Sequence, residues 1–266
     1  MPQTLVSYPM YAAAPGAIDG FWQGLRRHLR EAGFADVEEG LSQPDDLMAH
    51  WTRPDLLLSQ TCGYPLTHAL AGRVQLVGTL GYEAPGCEGA LYSSVFVVRA
   101  DDPAERLADF RGRRVAFNSR DSQSGTNCLR HAVAPLAEGG RFFGTAIESG
   151  AHRRSMRLVK DGVADIAAVD AVTYALATDA GLTDGLRILT FSERAPGLPL
   201  VTAADTAPEA VARLRQAVAA ASADPALASA RAGMRLSSFE VLPLAAYDVI
   251  PAMEREAVAA GYPELI

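Results

Sequence analysis

The amino-acid sequence predicts an α/β protein with two lobes, mostly parallel sheets and a hinge between the lobes. β-rich segments alternate with helical segments along the chain, which is the pattern of parallel α/β sheets. No internal repeat with a period of about 20–50 residues is present, which argues against a solenoid. Two extended segments, 94–99 and 195–201, bound a central block. We therefore expect a discontinuous first lobe, 1–96 plus 200–266, with a second lobe inserted as 97–199.

The extended crossings also predict where the lobes would move. We expect the backbone near 95–98 and 197–201 to act as hinges, because domain closure is absorbed by a few residues in connecting segments. A ligand would then bind in the cleft between the lobes, which is a favoured place for small-molecule sites.

The first lobe begins with a short strand and an amphipathic helix. Phe21, Leu25 and Leu29 fall on one face of the helix predicted at 17–32, and Gly33 ends it in the position that glycine favours. The other elements predicted in this lobe are strands at 4–8, 35–39, 55–59 and 75–80 and helices at 47–51 and 64–71.

The central block repeats the alternation of strand and helix. The sequence SVFVVR at 94–99 is typical of a strand, and Gly162 closes a helix predicted at 153–161. The apolar run DIAAV at 165–169 indicates a buried strand. The remaining elements are strands at 115–118 and 187–191, helices at 127–137 and 171–177, and C-terminal helices at 208–221, 225–232 and 247–260.

The composition is that of an ordinary globular protein, with 49% hydrophobic and 21% charged residues. The net charge of -7 disfavours nucleic acid as a partner. Residues 99–160 nevertheless hold 12 Lys/Arg against 7 Asp/Glu, a balance of +5. That excess is compatible with a small anionic ligand, although exposed arginines more often serve only as solubilising charge.

The sequence carries no targeting signal that we recognise. No apolar run reaches the roughly 18 residues that a transmembrane helix needs. The N-terminal stretch MPQTLVSYPMY lacks the basic and apolar regions of a signal peptide. As written, the chain is therefore expected to be cytoplasmic, with a leader replaced by Met as the alternative.

The three cysteines do not indicate a metal site. Cys62, Cys87 and Cys128 form no C-x-x-C pair, so a structural zinc ion is not expected. Unpaired thiols are the default, with a disulfide between Cys62 and Cys87 as the alternative in an oxidising compartment. Cys62 also lies at a predicted strand end, where a nucleophile could act, but no neighbouring residue activates it.

The segment DSQSGTN at 121–127, here called the serine-rich turn, lies between a predicted strand and a predicted helix. It does not fit the G-x-S-x-G turn of a hydrolase, because Ser122 and Thr126 flank Ser124 where glycines are needed. A combination of Ser124 with His152 and Asp170 is weak support for a catalytic triad. The segment also lacks the lysine of a nucleotide-binding P-loop.

Two interpretations of the turn stay open on spacing alone. Backbone N–H groups at a helix N-terminus favour an anion. Ser122, Ser124 and Thr126 would add hydroxyl donors, and Gly125 would permit close backbone approach. An ordinary N-cap, which needs only one of these hydroxyls, explains the sequence equally well.

The chain as a whole resembles the phosphate/phosphonate substrate-binding proteins of ABC transporters, which have the type II periplasmic-binding-protein fold. The resemblance runs from about Leu5 to Tyr262. It is carried by four segments: DLLLSQTCGYPL (55–66), YSSVFVVRADDPAERLADFRGRRVAFNSRDSQSG (92–125), SGAHRRSMRLVKDGVADIAAVDAVTY (149–174) and PGLPLV (196–201).

In the second lobe, this resemblance implies that a Ser-x-Ser-Gly turn grips the anionic group of the ligand. Ser122, Ser124 and Gly125 match that turn, with Gln123 where threonine is common. The Gly-x-His turn of the family matches residues 150–152 and makes His152 a candidate donor. Asp170 follows a strand that matches the family pattern V-x-x-G-x-A-D-I-A.

His152 and Asp170 each have a simpler explanation. His152 could be a solvated neighbour of a helix start, and Asp170 could cap the helix that follows it. If Asp170 faced the ligand, a zwitterion such as an aminoalkyl phosphonate would be favoured over a bare dianion.

In the first lobe, Tyr64 and Tyr92 match aromatic positions of the family. The turn SQTCG at 59–63 and the opening SYPMY at 7–11 depart from the usual sequences. The full set of predicted ligand-binding residues is Tyr8, Tyr11, Gln60, Thr61, Tyr64, Tyr92, Ser122, Gln123, Ser124, Gly125, Thr126, His152 and Asp170.

The function implied is a solute-binding protein for a small anion, most simply phosphate or a phosphonate, that delivers it to an ABC transporter permease. Such a protein needs no catalytic residue, no cofactor and no metal, and the family implies a periplasmic location. Within the same fold, the alternative ligand is a different anionic or aromatic small molecule, for instance a sulfonate or a pyrimidine-like precursor. Two alternative functions are a cytoplasmic ligand sensor of the same fold and an enzyme that uses Cys62 or Ser124.

Overall fold

The computed structural model describes residues 3 to 265 and contains twelve strands and nine α-helices in this range. The strands are β1 Leu5–Ser7, β2 Leu56–Gln60, β3 Val74–Tyr82, β4 Leu91–Tyr92, β5 Ser94–Arg99, β6 Arg114–Phe117, β7 Thr145–Glu148, β8 Ile166–Asp170, β9 Leu186–Phe191, β10 Ala195–Pro196, β11 Pro199–Ala203 and β12 Leu236–Glu240. The helices are α1 Ala17–Glu31, α2 Leu47–Trp51, α3 Gly63–Thr67, α4 Cys128–Val133, α5 His152–Lys160, α6 Ala171–Asp179, α7 Pro208–Ala223, α8 Ala228–Met234 and α9 Val249–Ala259.

The chain divides into two compact units. Unit 1 comprises Met1–Glu83, Glu88–Leu91 and Pro196–Ala246, and unit 2 comprises Ala84–Cys87, Tyr92–Ala195 and Tyr247–Ile266. This division differs from the predicted one at the C-terminus, because residues 247–266 belong to unit 2 and not to the first lobe. The physical reason is the burial of apolar side chains, because Ala257, Tyr262 and Leu265 lie in the same core cluster as residues of β6 and α4. The termini of the predicted ranges, residues 1 and 266, lie outside the described residues.

Each unit is built on one five-stranded sheet, and both sheets are mixed. The strand order is β1-β2-β11-β3-β12 in unit 1 and β7-β6-β8-β5-β9 in unit 2. In unit 1 only β1 and β2 run parallel, since β11 is antiparallel to β2 and β3, and β12 is antiparallel to β3. In unit 2, β6 is parallel to β7 and β8, whereas β5 is antiparallel to β8 and β9. The α/β class is as predicted, but the expectation of mostly parallel sheets is wrong.

The two apolar segments predicted as hinges are regular strands inside these sheets. Residues 95–98 lie within β5 and residues 197–201 overlap β11, and both strands are paired on two sides. The chain instead passes between the units at 83/84, 87/88, 91/92, 195/196 and 246/247. The passages at 91/92 and 195/196 fall inside β4 and β10, which form a separate two-stranded sheet. Hinge motion itself stays a prediction.

Local differences from the predicted elements have simple causes. Residues 35–39 form no strand. The Glu38 amide bonds to the Thr4 carbonyl and the Ser42 amide to the Val6 carbonyl, and these two bonds are too widely spaced along the chain to make a strand ladder. The helix predicted at 64–71 ends early, at Thr67. The helix predicted at 225–232 begins with a 3-10 turn, Pro225–Leu227, before α8. β7 and β12 are short strands that the sequence analysis missed.

The unit 2 sheet has an apolar cluster on each of its faces. Alternating residues of β5 divide between them: Phe96 and Val98 face one cluster and Val95 and Val97 the other. α4 and the C-terminal segment cover the first face, and α5 and α6 cover the second. This packing fixes the carboxyl ends of β6 and β8, where the serine-rich turn and Asp170 follow.

Candidate ligand-binding site

The serine-rich turn begins just beyond the end of β6 and contains a π-helical turn, Gln123–Asn127, which continues into α4. Ser122 is its N-cap, and its Oγ accepts a hydrogen bond of 3.0 Å from the amide of Gly125. Ser122 and Ser124 are almost fully buried. The Ser122 hydroxyl therefore still has its own proton to donate, whereas the Gly125 N–H is already used within the turn.

Ser124 is paired with His152 in unit 2. His152 is the first residue of α5, and its Nε2 lies 2.8 Å from Oγ of Ser124. Burial lowers the pKa of His152 to about 4, and the backbone carbonyl of Ala168 opposes this shift only in part. The imidazole is therefore neutral near pH 7, with one ring nitrogen as donor and the other as acceptor. When Nε2 donates to Oγ, the Ser124 hydroxyl keeps its own proton for an anion, and the pair adds no positive charge.

Gly125 and Asn118 are in close contact. A Cβ atom added to Gly125 would overlap Oδ1 of Asn118 and lie 3.2 Å from Cε1 of His152. That Oδ1 atom is buried and has no hydrogen-bond partner within the described part of the chain. Sequence reasoning did not identify Asn118, although its place directly after β6 was a signal for it.

Three predicted ligand residues are occupied by contacts within unit 2. The hydroxyl of Thr126 donates to the carbonyl of Ser119 over 2.6 Å. Oδ1 of Asp170 accepts from the amides of Val172 and Thr173, at 2.8 and 3.0 Å, and so caps α6. The side chain of Gln123 contacts Asn127 and Met253. The helix-capping explanation for Asp170 is thus the one found.

In unit 1, Tyr8 and Thr61 follow the ends of the parallel neighbours β1 and β2. The hydroxyls of both residues are buried without a hydrogen-bond partner in the range 3–265. Desolvation raises the pKa of Tyr8 well above its usual value, so this hydroxyl keeps its proton. Buried hydroxyls normally have partners, and these two are candidates for contact with a bound molecule.

The other predicted residues of the first lobe are engaged with their neighbours. Gln60 donates from Nε2 to the Tyr82 hydroxyl over 3.0 Å. The ring of Tyr11 packs edge-on against Tyr82, with 5.0 Å between centroids. The ring of Tyr64 stacks on His68 at 3.9 Å. Tyr92 is buried in β4 and falls in unit 2, although it was predicted in the first lobe.

A polar network below the ends of β1 and β2 was missed from the sequence. The Ser7 hydroxyl lies 2.9 Å from Nε2 of His50 and 2.7 Å from the Ser59 hydroxyl. Nε1 of Trp51 donates to the same Ser59 hydroxyl over 3.2 Å. The network fixes the strand ends that carry Tyr8 and Thr61. A serine that follows the apolar residues of β1 and of β2 was the sequence signal for it.

The alternative enzymes would use Cys62 or Ser124. Cys62, Cys87 and Cys128 form no disulfide bond, so the pairing of Cys62 with Cys87 is not found. Burial raises the pKa of Cys87 and of Cys128 to about 12, which keeps these thiols protonated. Ser124 and His152 are paired, but Asp170 caps a helix.

A cavity of about 140 Å³ lies beside α5, and no residue of the serine-rich turn lines it. It is lined by Arg153, Met156, Arg157, Lys160, Gly181 and Leu182. None of these residues belongs to the predicted ligand set.

The helices of the described chain, residues 3–265, include none with the length and hydrophobicity of a membrane-spanning segment. The same residues contain no group of three His, Cys, Asp or Glu side chains arranged to hold a metal ion.

Two α/β units with polar residues at their strand ends define the class of two-lobed solute-binding proteins. A family model described as "ABC transporter, phosphonate, periplasmic substrate-binding protein" matches residues 53–247. The chain belongs to this family, whose members bind ligands and do not catalyse reactions. A comparison with curated protein sequences gives no match.

Solved structures share the fold along nearly the whole chain. PhnD1 from Prochlorococcus marinus, solved in complex with methylphosphonate, is 15% identical, with a TM-score of 0.75 over 96% of this chain and 98% of its own. A phosphonate-transporter binding protein, PA3383 from Pseudomonas aeruginosa, is 15% identical, with a TM-score of 0.73 over 97% and 88%. XAC2383 from Xanthomonas citri, bound to ATP, is 16% identical, with a TM-score of 0.70 over 97% and 98%.

Proposed function

We propose that the chain binds a phosphonate or a phosphate-like anion through the serine-rich turn and passes it to an ABC transporter. The observation that carries this proposal is the hydrogen-bonded pair of buried Ser124 and partly buried His152, whose imidazole is neutral, beside the N-capping Ser122. These hydroxyl and imidazole groups are donors suited to anionic oxygens, and the start of a helix favours negative charge. The proposed ligand set keeps the residues predicted from the sequence.

The contacts refine the roles within that set. Ser122, Ser124 and His152 are the proposed side-chain donors of unit 2. The buried hydroxyls of Tyr8 and Thr61 are the proposed contribution of unit 1. Thr126, Gln123 and Asp170 would act mainly by holding the turn and α6, because their side chains bond within unit 2. A preference for zwitterions is therefore not part of the proposal.

A nucleotide is the second candidate ligand. XAC2383, which shares the fold over 97% of this chain, was solved bound to ATP. A phosphate group of a nucleotide offers the turn the same anionic oxygens as a phosphonate does. The binding experiment therefore includes ATP beside the small anions.

Titration calorimetry with methylphosphonate, inorganic phosphate, sulfate and ATP tests the proposal. Each hydrogen bond to a charged group contributes about 1.5–3 kcal/mol, so S122A and S124A should each weaken binding of the preferred ligand by about 10-fold or more. S222A is the matched control, because the Ser222 hydroxyl is buried in α7 without a partner in the described chain. Equal affinities of wild type and the S122A/S124A double variant would refute the anion-binding role of the turn.

A further inference from the structure

The side of the serine-rich turn that packs against α9 contains a buried side-chain network centred on Asn127. The Asn127 side chain is fully buried. Its Nδ2 donates to Oε1 of Gln123 over 2.7 Å and to the carbonyl of Ile250 over 2.9 Å. Its Oδ1 accepts from Nη2 of Arg130 over 2.7 Å. One side chain thus joins the first residue of the π-helical turn, α4 and α9.

Arg130 and Gln123 extend this network into the C-terminal segment. Nη1 of Arg130 donates to the carbonyl of Pro263 over 2.9 Å, and its Nη2 lies 3.0 Å from Oε1 of Glu254. Nε2 of Gln123 contacts Sδ of Met253 at 3.3 Å. The turn is therefore held from outside its own helix, by residues that follow the last passage of the chain into unit 2.

External support matters here because the turn is π-helical. The amide of Asn127 bonds to the carbonyl of Ser122 at 3.0 Å, and that of Cys128 to the carbonyl of Gln123. Such i→i+5 turns are rare and occur mostly as single turns at functional sites. In an α-helical register the hydrogen-bonded turn would be one residue shorter. The side chains before it would then be rotated by roughly 100° about the helix axis. Ser122 and Ser124 would then change their positions relative to His152.

We infer that Asn127 is a positioning residue for ligand binding. Its hydrogen bonds to Gln123 and to the Ile250 carbonyl of α9 hold the serine-rich turn in the π-helical geometry that binds the ligand. Within the described residues the Asn127 side chain bonds to Gln123, Ile250 and Arg130 and not to Ser122, Ser124 or His152, so it acts through the backbone of the turn. This inference rests on the proposed function for its effect on affinity. Its effect on the geometry of the turn is independent of which ligand binds.

The test compares N127A and N127L with V133A. Val133 is a fully buried core residue of α4 in the same unit, and its truncation reduces stability without removing a hydrogen bond of the turn. At a temperature where circular dichroism shows all proteins folded, we expect N127A and N127L to bind methylphosphonate or inorganic phosphate at least tenfold more weakly than wild type. V133A should stay within twofold of wild type.

A second measurement separates this inference from the proposed function. Amide hydrogen exchange by NMR should be at least tenfold faster at position 127 and at Cys128 in N127L than in V133A, and the Gly125 amide resonance should move only in the Asn127 variants. If the wild type bound no probe, the proposed function would fail and the exchange result alone would decide the inference. Unchanged exchange and resonance in N127A and N127L, or an equal loss of affinity in V133A, would overturn it.

Discussion

In the proposed ligand site, Ser124 and His152 form a polar pair that would meet an anion without carrying charge itself. The pair lies where a helix begins, and burial keeps the imidazole neutral. A charged imidazolium would bind any anion strongly, whereas neutral donors require oxygens that match their positions. The residue chemistry therefore favours selectivity by geometry.

The lowered pKa of His152 predicts how stability depends on pH. The unfolded chain takes up a proton near the ordinary histidine pKa of about 6.5, and the folded protein does so only near 4. Between these values the unfolded state binds more protons, so stability falls as pH falls through this window. At most about 3 kcal/mol is lost, because each pH unit corresponds to about 1.4 kcal/mol.

Urea denaturation between pH 4.5 and 7.5 measures this dependence. The slope of unfolding free energy against pH should be smaller in H152Q than in wild type. H50Q is the comparison variant. Burial also lowers the pKa of His50, so H50Q removes the contribution of His50 to the slope and leaves that of His152 intact. A slope in H152Q equal to that of wild type would show that His152 titrates normally in the folded protein.

Among the glycines that the structure describes, Gly125 is the one where an added Cβ would approach another atom most closely. G125A should reduce both stability and ligand affinity, because its Cβ would overlap Oδ1 of Asn118 and crowd His152. Overpacking of this kind costs about 1–3 kcal/mol. G40A serves as the control, because a Cβ on Gly40 has no atom within 4 Å and its φ is not positive. Thermal denaturation and calorimetry of both variants check this, and equal behaviour of G125A and G40A would contradict it.

At the scale of elements, the sequence predicted most helices and strands because their periodicity and glycine stops are local. Helix α1 follows from Phe21, Leu25 and Leu29 on one face. The irregular segment 35–39 and the mixed sheet order depend on pairings between distant residues, as in β11 beside β2 and β3. No single segment of sequence contains that information.

The candidate site was predictable only in part for the same reason. The serine-rich turn was identified because its residues are consecutive and match a family motif. Asn118, Asn127 and the Ser7–Ser59 contact were missed, because each acts through partners far away in the sequence. The C-terminal segment was assigned to the first lobe since nothing in its own sequence records its packing on α4.

The N-cap contact of Asp170 leads to a prediction about the stability of α6 and not about a ligand contact. D170A should lower the free energy of unfolding by about 1 kcal/mol through loss of the α6 N-cap. D170N keeps the accepting Oδ1 and should lose much less stability. Urea denaturation compares the two, and calorimetry should show near-normal affinity for methylphosphonate in D170N. A large loss of affinity in stable D170N would instead make the carboxylate charge part of the ligand site.

At the scale of the whole molecule, the chain forms two units with their own sheets and passes between them at 83/84, 87/88, 91/92, 195/196 and 246/247. Proposed ligand residues occur in both units, so binding should stabilise the folded chain as a whole. A ligand at 100 times its dissociation constant adds about 2.7 kcal/mol of stability. Thermal shift with methylphosphonate should therefore raise the melting temperature of wild type and leave the S122A/S124A double variant nearly unchanged.

The central claim is that the serine-rich turn holds the anion, and a crystal structure with methylphosphonate tests it most directly. The account predicts phosphonate oxygens within hydrogen-bond distance of the Ser122 and Ser124 hydroxyls and of His152. Phosphonate bound instead among Arg153, Arg157 and Lys160 in the cavity beside α5, with the serine-rich turn free of ligand, would contradict it.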